Sequence, residues 1–209
     1  MTINHHPSEE ALAAFASGAL DEGRSLLVSV HLSFCAGCRD AIHALAHLGG
    51  ALLEGLAPVG LSTDLRSAAM ARLGTQETVQ VPVASADGLP APLSAYQREP
   101  WQWVGPGIWR AGVALDRDEE SRVLLLKAAA GTRLIDHGHS DLEWTCVLTG
   151  AFHHDHGHFG AGDFEEADPA VFHRPIVTPD AECICLVALR GTLRYSGWLG
   201  RLMQPLIRL

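Results

Sequence analysis

Lysine is almost missing from this chain. Lys127 stands alone, and Lys and Arg together number 15 against 24 Asp and Glu, a formal net charge of −9. Phosphate backbones are held by clustered Lys and Arg, so direct binding to nucleic acid is excluded as a primary role. Long hydrophobic runs are missing as well. Apolar stretches such as Val123 to Leu126 and Cys183 to Leu189 fall far short of the ~20 residues a membrane-crossing helix needs. No basic segment followed by an apolar one opens the sequence as a secretion signal would, and the cytoplasm is the expected compartment, with no membrane association. The five cysteines are an odd number without framework spacing, which points to reduced thiols and metal ligands rather than disulfides.

What is present describes a soluble globular protein. The 209 residues are 47% hydrophobic and 19% charged, enough for one large domain or two small ones. The most informative local pattern is His31-x3-Cys35-x2-Cys38, with His5 and His6 near the start. Thiolate plus imidazole is the usual donor mixture of a closed, tetrahedral zinc site, and two thiolates cancel the charge of the ion. Asp21 to Ser33 reads as a helix with Asp21 as N-cap and Leu26, Leu27 and Val30 as its apolar stripe, which puts His31 in the last turn. Ala41, Ile42, Leu45, Ala46, Leu48, Leu52 and Leu53 continue as a further helix whose start carries Cys35 and Cys38, where unpaired backbone N–H groups favour thiolate. An earlier helix begins near Ser8, with Glu9 and Glu10 in its opening turn and Leu12, Phe15 and Ala16 buried. A histidine just ahead of Ser8 can fold back as fourth ligand, His6 being nearer and His5 an alternative. His43 and His47 stand as alternative ligands on another helical stripe. A redox role for the CxxC is the rival reading of the thiols.

The chain divides beyond this module. Ser62 or Thr63 caps a fourth helix running to about Leu73, with Leu65, Ala69, Met70 and Leu73 as its apolar face. Residues 74–98, rich in Pro and lacking any helical period, read as an interdomain linker. From 99 to 209 the text becomes short β-like runs between Gly and Pro: Trp101 to Val104, Ile108 to Leu115, Arg122 to Ala128, Glu143 to Leu148, Ala170 to Arg174 and Ala181 to Leu189. Strands at that spacing predict a barrel or sandwich. The apolar tail from Leu199 to Leu209 is expected to pack back on a domain. The fold class is therefore α+β and multidomain, a helical bundle over 1–73 followed by a β-barrel or sandwich.

A second metal grouping lies in the β-rich half. In Gly131-x5-His137-x-His139-x3-Glu143-x6-Gly150, residues two apart on a strand share a face, so His137 and His139 project together and a short bend brings Glu143 beside them. Asp163 after Gly162 marks a later strand, and His173 lies where an antiparallel partner returns a third imidazole. Three His and one Glu suit zinc or another divalent transition metal. Cys183 and Cys185 share a strand face, as a redox pair or as core, while Cys146 has the opposite parity from Glu143 and reads as core. His154, His156 and His158 sit in a histidine-rich hairpin expected to be solvated. Trp101, Trp103 and Trp109 read mostly as core.

The second grouping resembles the first cupin motif with every ligand position filled. Of the second motif Gly162, Pro169 and His173 are present, without the Gly that follows Pro. Over nearly its whole length the chain resembles the ChrR-like zinc-binding anti-sigma factors. The likeness includes Met1-Thr2-Ile3-Asn4-His5-His6, His31-Leu32-Ser33-Phe34-Cys35, Asp136-His137-Gly138-His139, Cys183-Ile184-Cys185-Leu186 and the ending Gln204-Pro205-Leu206-Ile207-Arg208-Leu209. The resemblance implies a helical domain that binds Zn2+ through His6, His31, Cys35 and Cys38 and sequesters an extracytoplasmic-function-type sigma factor as a heterodimer. It implies a cupin-like domain with His137, His139, Glu143 and His173 at its metal, needed for release under singlet oxygen or organic hydroperoxide stress. The protein is then a regulator and not an enzyme, with a contact between its two halves that metal chemistry biases. The rival readings are a metal-dependent cupin enzyme, an oxygenase or isomerase with an N-terminal interaction module, and a structural metal protein that recruits another partner.

Overall fold

Local chemistry starts each helix. In the computed structural model, which describes residues 2–73, 88–116 and 121–195, helix α1 (Glu9–Ala16) is capped by Ser8, whose Oγ accepts the Ala11 amide, and carries Glu9 and Glu10 in its first turn. Those carboxylates complement the positive end of the helix dipole. Asp21 caps α2 (Glu22–Phe34) by accepting the Arg24 amide at 2.8 Å, and its other oxygen pairs with Arg24 Nε. Helix α3 (Ala36–Glu54) follows with hardly a break. Its N-cap is Cys35, whose Sγ accepts the Cys38 amide at 3.4 Å.

The β half is antiparallel throughout its assigned pairings. Strands β1 (Gln102–Gly105), β2 (Ile108–Val113), β3 (Ser121–Ala128), β5 (Glu143–Thr149), β8 (Phe164–Ala167) and β11 (Cys183–Arg190) form a six-stranded sheet in the order β1-β2-β3-β11-β5-β8. Two three-stranded sheets lie against it. One is β10 (Ile176–Val177), β6 (Ala151–His154) and β7 (Gly157–Gly160); the other is β12 (Leu193–Tyr195), β4 (His137–His139) and β9 (Phe172–His173). Strand parity then sorts the side chains. Cys183, Cys185, Val187 and Leu189 of β11 point into the β-sandwich with Leu124, Val147, Phe152, Phe159 and Val177.

The other face of the large sheet is covered by helix rather than by water. Leu186 and Ala188 of β11, Val123 and Leu125 of β3, Trp144, Cys146 and Leu148 of β5 and Phe164 of β8 pack in one cluster with Leu26, Leu27, Val28 and Val30 of α2. Strands buried on both sides carry near-continuous apolar runs, which is how β5 and β11 read. Helix α2 thus belongs to the core that the sheet and the helices share. Leu27 has no exposed surface at its centre. Leu27→Ala is expected to destabilise the fold by about 2–5 kcal/mol, read as a lower denaturation midpoint with an unchanged denaturant slope.

Three expectations meet a different structure. The linker prediction falls partly on residues 74–87, outside the described residues, as does the tail from Leu199 to Leu209. Within the described remainder of the linker, Pro90 caps a short helix α5 (Ala91–Ser94) and Leu93 is fully buried in the α2 cluster. Helix α4 (Leu65–Leu73) exists, but its apolar face has no buried residue. Trp103 is exposed, and Trp101 and Trp109 hold the Lys127 ammonium, with Nζ 4.7 and 5.3 Å from their ring centroids. Their role is a cation–π contact on the sheet surface rather than core filling.

Candidate metal centres

The end of α2 and the start of α3 make the first centre. Because α3 begins at Cys35, its first turn brings Cys38 back beside Cys35, and His31 sits one turn before the end of α2. His31 Nε2 lies 3.3 Å from Cys38 Sγ, and His6 Nδ1 lies 3.4 Å from both sulfurs. The four donor atoms fall within 4.8 Å of one another. Zn–S bonds of about 2.3 Å and Zn–N bonds of about 2.0–2.1 Å set tetrahedral S···N edges of about 3.5–3.6 Å, so the spacing fits an ion of that size. His31 is fully buried, both thiols are nearly so, and His6 closes the site from the solvent side.

Anchors on the β half select His6 over His5. Asp163 Oδ1 accepts the amides of Asn4 and His5 at 2.7 and 3.0 Å, and the Phe164 amide donates to the His5 carbonyl. The His5 ring is thereby stacked on Phe159, centroids 4.3 Å apart, and turned away from the thiols. His43 and His47 line a shallow groove on α3 with Glu54 and stay apart from the four-residue group.

Burial governs the electrostatics here. It pushes the Cys38 thiol up to about 12, with the hydrogen bond and charge of Cys35 adding to it, and it lowers His31. At Cys38 burial thus outweighs the pull of the helix N-terminus toward thiolate, and a bound cation deprotonates such a thiol outright. His31 is already in the ligating tautomer. Its Nδ1 donates to the Gly162 carbonyl at 2.8 Å, which leaves the Nε2 lone pair for an ion.

The second centre is assembled by sheet register. His137 and His173 are direct partners across β4 and β9, His139 is two residues on along β4, and Glu143 opens β5. His173 Nε2 lies 3.3 Å from His139 Nε2 and 3.2 Å from His137 Nε2, with Glu143 Oε1 at 3.9 Å. Three imidazole nitrogens cannot all satisfy one another by hydrogen bonds. Their spacing is close to the tetrahedral N···N edge of about 3.3–3.4 Å set by metal–nitrogen bonds. Burial, with the neighbouring imidazoles adding to it, lowers His137 to about 4 and His139 to about 3, so both are neutral ligands at physiological pH. Burial and the charge of Glu165 raise Glu143 to about 8, a carboxyl that calls for a cation beside it. His137 Nδ1 donates to the Ile135 carbonyl at 2.7 Å and frees its Nε2. A cavity of about 300 Å³ opens on His137, Glu143 and His173. Its walls are mostly apolar and include Leu124, Leu126, Phe152, Val187 and both Cys183 and Cys185, whose sulfurs are 3.7 Å apart.

One histidine departs from its expected place. His156 and His158 are exposed in the β6–β7 hairpin, but the side chain of His154 is buried against Glu165 of β8. The sequence held the signal: His154 is two residues from Phe152, which faces the core, and so shares its side of β6.

A single strand connects the two centres. Gly162, just before β8, accepts from His31; Asp163 holds Asn4 and His5; Glu165 faces His173 at 3.5 Å; and Glu166 accepts from the Ser8 amide and hydroxyl. Gly162 has φ +89°, and a Cβ there would collide with Ile3 Cδ1 and Phe34. Only glycine fits this close approach.

Fold and sites together define a class: a helical module with a His2Cys2 cluster, seated on a cupin-like β-sandwich with a His3Glu cluster. The ChrR Cupin-like domain family matches residues 93–192. The Anti-sigma-E factor ChrR of Cereibacter sphaeroides is 40% identical over 215 residues, covering 100% of both chains. The crystal structure of Rhodobacter sphaeroides SigE in complex with the anti-sigma ChrR superposes with a TM-score of 0.78 at 38% identity, over 90% of this chain and 99% of that one. The chain belongs to the ChrR family. Among the described residues, no helix is long and apolar enough to cross a membrane.

Proposed function

We propose that this protein is a cytoplasmic anti-sigma factor that binds an extracytoplasmic-function-type sigma factor as a heterodimer and blocks its access to RNA polymerase. Family membership supports the reading, and the relative seen in complex with SigE gives it a precedent. The observation that carries it is the apolar stripe of α3. Ala41, Ile42 and Leu45 pack against the core, and the same helical face continues through Leu48 and Leu52 into open solvent. Leu53, Leu56, Val59, Leu61, Leu65, Met70 and Leu73 extend the exposed apolar surface through α4. So many large apolar side chains left in water along one stretch of chain mark an interaction site.

The division of labour follows the sequence. Residues 1–73 carry the recognition surface, held at its root by Zn2+ on His6, His31, Cys35 and Cys38; residues 99–209 form the sensing half, with residues 74–98 between them. In the sensing half, His137, His139, Glu143 and His173 hold zinc or another divalent transition metal. Release under singlet oxygen or organic hydroperoxide stress begins at those ligands. A change there reaches the recognition module through β8, because Glu165 and Gly162 on one segment touch a ligand of each centre. Glu143→Ala is expected to leave sigma binding within about threefold and to abolish stress-induced release, since Glu143 opens β5 and belongs to neither α3 nor α4. A pull-down of the sigma factor before and after oxidant treatment checks both.

The cavity beside the His3Glu cluster keeps a second reading in view, a metal-dependent cupin enzyme with an N-terminal interaction module. That reading requires metal-dependent turnover that Glu143→Ala removes.

A further inference from the structure

His154 and Glu165 have no part in either four-ligand group, yet both are buried beside the second one. His154 Nε2 is 2.8 Å from Glu165 Oε1, and the same oxygen is 3.5 Å from His173 Nδ1. The two rings stand 5.0 Å apart. A His2Glu cluster of this size admits two interpretations: a position for another ion, or a support for His173.

Proton bookkeeping decides between them. His154 Nδ1 accepts the amide of His156 at 3.1 Å, so the ring proton is on Nε2, facing Glu165. His173 directs Nε2 toward the Nε2 atoms of His137 and His139; with an ion held among the three, its proton is on Nδ1, also facing Glu165. Both nitrogens therefore lie at ion-pair distance from one carboxylate, at angles that fall short of a formed hydrogen bond. An ion in their midst would have to displace both protons and turn His173 into a bridging imidazolate. Two of the other ligating histidines follow the same pattern, His31 donating from Nδ1 to Gly162 and His137 to Ile135. Metal-bound histidines generally donate their second nitrogen to a carboxylate or carbonyl that fixes tautomer and ring orientation.

We infer that Glu165, locked in place by His154, is a positioning residue that sets the tautomer and orientation of His173 at the cupin metal. The inference rests on the His3Glu site proposed above. It also makes Glu165 the inward contact of the strand that, three residues earlier, supports His31.

Cobalt(II) loading of the full chain provides the test. Visible spectra separate the two centres, because only the N-terminal one carries thiolates, and competition with a chromogenic chelator gives the affinity of each. The wild-type β half should take up a single ion. Glu165→Ala should weaken that ion about 10–100-fold and alter its ligand-field bands, with the cobalt–thiolate band unchanged. Glu165→Gln, nearly isosteric and able to accept one of the two N–H groups, should fall between wild type and alanine. An unchanged affinity and spectrum in both variants would make Glu165 a bystander and overturn the inference. Two ions in the wild-type β half, one of them lost in Glu165→Gln, would overturn it in favour of a separate metal position. No ion in the wild-type β half would remove the His3Glu site, and the inference with it.

Discussion

Replacing Cys38 with serine should abolish sigma-factor binding, with affinity falling by at least about a hundredfold, and should lower the zinc content by one ion per chain. Cys38 is buried, and its sulfur is the shared neighbour of His31 and His6, so its loss removes the donor that both imidazoles face. Structural zinc in small modules contributes on the order of 10–16 kcal/mol, as much as or more than the net stability of a typical domain, about 5–15 kcal/mol. The damage should nevertheless be local. Helix α2 is held by the large sheet through Leu26, Leu27, Val28 and Val30, whereas α3 buries Cys38 fully and only half-buries Ala41, Ile42 and Leu45. Metal loss should therefore free α3 and leave α2 and the β half folded. Hydrogen exchange resolves this pattern: amides of 36–54 lose protection and those of β3, β5 and β11 keep it. Full sigma inhibition by the zinc-free variant would remove zinc from the mechanism.

Leu52→Asp should weaken sigma binding by about 30–1,000-fold, the range expected for an interface hot spot of about 2–4 kcal/mol, with the fold unchanged. Leu52 is 67% exposed in the free protein, and a substitution at such a position alters stability by only about 0.5 kcal/mol. In the complex the same side chain continues a stripe that begins in the core at Ala41 and Leu45, and a carboxylate there loses its water without gaining a partner. Leu56, 66% exposed, provides an independent check on the same face. Isothermal titration with the sigma factor, alongside thermal melting of the free chain, separates the two effects. Equal affinity for wild type and Leu52→Asp would move the recognition surface elsewhere.

Features encoded locally were legible in the sequence. Asp21 caps the helix it was expected to cap, the first helix begins beside Ser8 as read, and the spacing of the β-like runs anticipated β1, β2, β3, β5 and β11 within a few residues. His137 and His139 share a face because strand parity requires it. Long-range contacts were the obstacle elsewhere. Choosing His6 over His5 depends on Asp163 and Phe159, more than 150 residues away. The joining of the halves through α2 was implicit in Cys183 to Leu189, whose unbroken apolarity demands cover on both faces, but nothing local names α2 as that cover. His154 and Glu165 escaped because a histidine-rich hairpin looks solvated until its strand is phased against Phe152. Helix α4 was legible as far as Leu73, but an apolar face does not say whether its partner is the same chain or another protein.

Native mass spectrometry of the chain co-expressed with the extracytoplasmic-function-type sigma factors of its own cell tests the central claim most directly. The account predicts a complex of one chain and one sigma factor carrying two metal ions, which separates into free proteins when the N-terminal zinc is stripped. A chain that binds none of them, or a complex that persists with that zinc removed, would contradict it.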